Sequence, residues 1–110
     1  MDGRTERKLY KQAVRKWGLP LQLGMLMEEW EELIQAANKV VRKGKQSAQV
    51  WRNLAEEIAD VEIMIGQIKI FCDWELMEQK VKTAKHDKLL RLQRLLENEH
   101  NLSENINQWR

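Results

Sequence analysis

The chain has 110 residues, with 19 Lys and Arg against 17 Asp and Glu, one Pro, five Gly and one Cys. Scarce Pro and Gly argue against an all-β fold, which needs turn residues at short intervals. A net charge of only +2 does not suggest a duplex-binding face, for which a more strongly basic chain is expected. No apolar run approaches the ~18–20 residues of a membrane span.

The N-terminus, Met1-Asp2-Gly3-Arg4-Thr5-Glu6-Arg7-Lys8, lacks the apolar stretch of a secretory signal. The single Cys72 has no internal disulfide partner and fits a reducing, cytoplasmic setting. His86 and His100 read as surface residues, and Cys72 as half-buried packing at a helix end.

A first helix starts near Thr5 or Asp2, either of which can cap it. Leu9, Tyr10, Ala13, Val14 and Trp17 line one face before Gly18 and Pro20 stop it. A second helix runs from about Pro20 to Arg42, with Leu23, Leu26, Trp30, Leu33, Ile34, Ala37, Val40 and Val41 as its stripe. Within it Gly24 marks a close helix contact or a late start, because Gly lowers helix propensity by about 1 kcal/mol relative to Ala. Lys43-Gly44-Lys45 ends it.

Ser47 caps a third helix that reaches about Phe71 along Trp51, Leu54, Ile58, Val61, Ile65 and Ile68, with Ala59 and Gly66 permitting close approach. Cys72-Asp73 is a junction, Asp73 capping a fourth helix with Trp74, Met77, Val81, Ala84, Leu89, Leu92, Leu95 and Leu96. The expected architecture is therefore all-α: an antiparallel four-helix bundle over residues 1–99, followed by a polar, flexible tail over 100–110. The stripes are broader than so small an interior can absorb, which predicts a homodimer or homotetramer.

Two knots of acid interrupt these stripes, Glu28-Glu29-Trp30-Glu31-Glu32 and Glu56-Glu57-Ile58-Ala59-Asp60. Glu28, Glu31, Glu56 and Glu62 fit a solvated face, as helix-surface acids usually do. Glu29, Glu32, Glu57 and Asp60 differ because they border the helix seam, and Asp is a poor helix-interior residue. Each pair is three residues apart and so shares a helix face. On neighbouring helices the two pairs can aim four carboxylates at one point. Like charges ~4 Å apart repel by about 1 kcal/mol in water and about 4 kcal/mol at an effective dielectric of ~20. Such a cluster calls for protons or a cation. An all-oxygen donor set suits Mg²⁺, with Mn²⁺ as a substitute, rather than zinc. A di-iron bundle needs Glu-x-x-His on two helices, and Glu97-x-x-His100 is the single match.

With these residues in view, the chain resembles the MazG-like, all-α nucleoside triphosphate pyrophosphohydrolase superfamily. Glu28-Glu29-x-x-Glu32 followed by Glu57-x-x-Asp60 matches its Glu-Glu-x-x-Glu and Glu-x-x-Asp signature in order and spacing. Leu33-Ile34-Gln35-Ala36, Val61 and the run Lys85-His86-Asp87-Lys88-Leu89-Leu90-Arg91-Leu92 also look like members. The resemblance covers about Trp17 to Leu96; the polar tail departs from it.

It implies a Mg²⁺-dependent hydrolase that cleaves an NTP or dNTP between its α and β phosphates. Glu29, Glu32, Glu57 and Asp60 become metal ligands, and Glu28 a further catalytic acid. Lys82, Lys85, Lys88 and Arg91 become candidates for neutralising the triphosphate. Trp30 or Trp51 could stack on the base and Gln22 could read it, although both Trp also fit packing roles. No membrane or nucleic acid is required. The competing reading is a non-enzymatic helical module that binds a protein partner or RNA through the basic run from Lys80 to Arg94.

Overall fold

A computed structural model of the chain describes residues 1–44 and 47–98. It contains four helices, α1 (Gly3–Trp17), α2 (Leu19–Lys43), α3 (Ala48–Phe71) and α4 (Trp74–Glu97), and no strand among the described residues. The expected tail and the place of Lys45 lie outside those residues. No helix is long and apolar enough to cross a membrane.

Local chemistry sets the boundaries. Of the two candidate caps for α1, Asp2 takes the role: its carboxylate accepts from the Thr5 backbone N–H at 2.8 Å. Gly18 ends α1 at φ +80°, a conformation that a β-carbon penalises, and its N–H donates to the Val14 carbonyl at 2.8 Å. Ser47 Oγ accepts from the Val50 N–H at 3.4 Å and caps α3. Asp73 stands between α3 and α4 at φ +86°, a left-handed conformation that Asp tolerates better than most residues. Cys72 is exposed at the end of α3, which corrects the half-buried packing role expected for it.

The helices divide into two compact units, the first spanning Met1–Asp73 and the second beginning at Trp74. In the first unit α1, α2 and α3 pack on one another, and the α2–α3 seam is the most extensive interface. Its core is small: Tyr10, Val14, Ala36, Val50, Val61 and Met64 are buried. The Tyr10 ring lies so close to Gly66 that a β-carbon there would stand 2.4 Å from it, so Gly66 is the close approach that the sequence suggested. Tyr10 donates its hydroxyl hydrogen to Glu6. Burial first, and then the Glu6 carboxylate, push the phenol up to about 12.

Gly24 fits neither expectation. It is exposed with open space around it, and α2 begins five residues earlier, at Leu19. Much of the predicted stripe is exposed too, including Trp30, Ile34, Val41, Trp51 and Ile58. In α4, Leu95 is buried, while Leu89 and Leu96 are exposed.

Candidate metal centre

The α2–α3 seam is antiparallel, and its register follows from named pairs. Gln22 donates through Nε2 to Oε1 of Gln67, and Gln67 donates through Nε2 to the Met64 sulfur at 3.7 Å. Glu29 lies seven residues after Gln22, and Asp60 seven before Gln67. Seven residues are about two turns, or ~10.5 Å of rise. The register that pairs the glutamines therefore also brings the two acid motifs face to face.

One oxygen from each of Glu29, Glu32, Glu57 and Asp60 lies within 4.8 Å of the others. The four carboxylates named from the sequence thus converge. Glu29 and Glu57 are half-buried, while Glu32 and Asp60 are exposed. Glu28, Glu31, Glu56 and Glu62 all face solvent, and none belongs to the four-oxygen cluster.

The electrostatics follow from burial and from mutual repulsion among the four acids. Burial raises the Glu29 carboxyl above its ordinary value, and the charges of Glu32, Asp60 and Glu57 add to the shift. Burial likewise raises Glu57, followed by Glu32, Asp60 and Glu56. Oε2 of Glu29 and Oε2 of Glu57 are each buried with no hydrogen-bond partner among the described residues. A buried oxygen without a partner is unfavourable, more so when it is charged. A hard divalent cation would satisfy both oxygens and cancel much of the repulsion.

The dimensions agree with that donor set. Oxygens across one Mg²⁺ stand about 4.2 Å apart, twice its ~2.1 Å bond. All four oxygens here lie within 4.8 Å of one another, the same scale as that separation. The residues present therefore fit a hard, oxygen-bound cation.

Cavities flank the cluster on both sides along the seam. Toward Gln22 lies a mainly apolar cavity of ≈ 310 Å³, lined by Trp17, Leu21, Gln22, Met25, Met64 and Gln67. At its floor Gln22 is 4% exposed and Gln67 7%. The Lys16 ammonium lies 5.4 Å from the centre of the Trp17 ring. On the other side lies a polar cleft of ≈ 130 Å³, lined by Glu32, Gln35, Ala36, Lys39, Val50, Asn53 and Glu57.

The remaining expected residues fare differently. Gln22 lines the apolar cavity. Trp30 and Trp51 are 45% and 42% exposed, so neither is a core residue, and neither lines these two cavities. Lys82, Lys85, Lys88 and Arg91 are exposed along α4, in the second unit.

Four further residues line these cavities without standing out in the sequence as site candidates. Trp17 read as part of the α1 core face, and Gln67, Lys39 and Asn53 were not singled out. The signal for Gln67 and Lys39 is the register itself. It places Gln67 opposite Gln22 and carries Lys39, seven residues beyond Glu32, toward Val50, seven before Glu57.

Compared with family models, curated proteins and solved structures, the chain has no match.

Proposed function

We propose that the chain is a Mg²⁺-dependent nucleoside triphosphate pyrophosphohydrolase of the MazG-like kind, which cleaves NTP or dNTP to a monophosphate and pyrophosphate. The observation that carries this reading is the convergence of Glu29, Glu32, Glu57 and Asp60 within 4.8 Å across the α2–α3 seam. The buried, unpartnered oxygens on Glu29 and Glu57 support it.

When bound, the cation would polarise phosphoryl oxygens and lower the pKa of a nearby water. The four carboxylates would hold it at the middle of the seam, and Mn²⁺ would substitute for Mg²⁺. The half-buried members would keep the site partly dry, which strengthens each charge interaction. A carboxylate not engaged in ligation would take the proton of the attacking water. Glu28, exposed and next to Glu29 on α2, is the candidate outside the cluster.

The apolar cavity offers a place for the nucleoside. Trp17, Met25 and Met64 present apolar surface, and the Gln22–Gln67 pair sets amide groups at its floor. This volume sits at the lower end of the ~300–1,000 Å³ range of small-molecule sites. Lys82, Lys85, Lys88 and Arg91 remain candidates for triphosphate binding, and the enzyme acts as a cytoplasmic homodimer or homotetramer.

The test incubates the protein with a panel of NTPs and dNTPs and Mg²⁺, and measures the products. The expected result is monophosphate and pyrophosphate in equal amounts. Glu57→Gln lowers turnover by roughly a hundredfold or more while the helical circular dichroism is unchanged. Release of orthophosphate alone, or no release from any nucleotide, rules the reading out. In the latter case a helical binding module becomes the better account.

A further inference from the structure

The polar cleft beside the acids has no role in the sequence reading. It is lined by Glu32 and Glu57, two of the four clustered acids, and by the uncharged side chains of Gln35, Ala36, Val50 and Asn53. Lys39 supplies the positive charge among its lining residues. At ≈ 130 Å³ it is less than half the volume of the apolar cavity and is lined mostly by polar side chains, which suits phosphoryl oxygens better than a nucleoside. Gln49 donates through Nε2 to Oδ1 of Asn53 at 2.9 Å, which fixes the Asn53 amide with Nδ2 as its donor end.

We infer that Lys39 holds the terminal phosphates of the nucleotide in this cleft, so that the polyphosphate runs from the acid cluster toward Val50. The nucleoside then points the opposite way along the seam, toward Trp17 and Gln67. This rests on the pyrophosphohydrolase reading and gives its substrate a direction.

Charge balance and geometry both favour this assignment. A triphosphate brings several negative charges to a site that already carries four carboxylates, and one divalent cation does not offset them. A further cation is needed on the side of the leaving pyrophosphate, where charge builds as the bond breaks. The helix dipoles do not supply it. The cleft lies by the negative end of α2 and the positive end of α3, whose ~0.5 charges oppose one another. The helix sets the Lys39 backbone at a fixed distance from the acids. Lys39 is on the same helix as Glu29 and Glu32, two turns beyond Glu32, or about 10 Å of rise that its long side chain partly spans back. The apolar cavity on the opposite side contains no charged lining residue and suits a base better than a phosphate.

The test uses Mg²⁺ with inorganic pyrophosphate as the probe and calorimetry as the readout, on wild type, Lys39→Ala and Lys39→Arg. Lys39→Ala should weaken pyrophosphate binding by about tenfold or more, the loss of one charge-assisted hydrogen bond. Lys39→Arg should recover most of it, and inhibition by the product monophosphate should be unchanged in both. Unaltered circular dichroism and Mn²⁺ affinity separate this from misfolding or loss of the metal. Wild-type pyrophosphate affinity in a folded Lys39→Ala variant overturns the assignment while leaving the hydrolase reading in place. A wild-type protein that neither binds pyrophosphate nor hydrolyses any nucleotide in Mg²⁺ overturns both.

Discussion

A carboxylate packed among three others can lower its energy by keeping a proton or by sharing a cation. Glu29 and Glu57 are the half-buried members of the cluster, and both have pKa values raised above the ordinary 4.5. Without metal, the folded chain therefore binds more protons than the unfolded chain over a window that opens near 4.5 and extends upward. Stability falls as pH rises through that window, because the proton that relieves the repulsion is lost. Thermal melts in EDTA should show a declining midpoint as pH rises from about 4.5. Adding Mg²⁺ should flatten the decline, since a bound cation inverts the local preference for protons. A Glu29→Gln, Glu57→Gln double variant should lose both the decline and the metal response. A Mg²⁺ response that survives in that variant would place the ion elsewhere.

At the scale of elements, two glycines make opposite demands. A β-carbon at Gly66 would meet the Tyr10 ring at 2.4 Å, so Gly66→Ala should destabilise the α1–α3 contact by about 1–3 kcal/mol, the usual range for overpacking. Gly24 has nothing within 4 Å of that position, so Gly24→Ala should stabilise α2 by up to about 1 kcal/mol through helix propensity alone. Urea denaturation measures both, and equal effects of the same sign would contradict the packing described. The sequence carried the helices because caps and breakers act locally: Asp2, Gly18, Ser47 and Gly44 mark their ends without help from tertiary structure. It carried the acid cluster because three-residue spacing fixes a helix face. The register between helices is a tertiary property. Gln67, Lys39 and Asn53 take their places through the pairing of α2 with α3 rather than through any local spacing. Trp30 and Trp51 lie on predicted apolar faces but are exposed, because periodicity identifies an apolar face without saying whether this chain covers it.

For the whole molecule, the uncovered apolar surface is the main consequence. Met27, Trp30, Ile34 and Val41 lie along one face of α2, and all are exposed. We propose that a second copy of the chain covers this face. Sedimentation should give a dimer or tetramer, and Ile34→Glu should shift it toward monomer by burying a charge in an apolar interface. A wild-type monomer at micromolar concentration would rule out the assembly. The central claim is that the two acid motifs together form one cation site, and Mn²⁺ titration followed by electron paramagnetic resonance tests it most directly. The account predicts saturable Mn²⁺ binding that Mg²⁺ displaces and that Glu29→Gln and Glu57→Gln each abolish, although these residues lie on different helices. Mn²⁺ that stays free in the presence of wild-type protein, or binds equally to both variants, would contradict it.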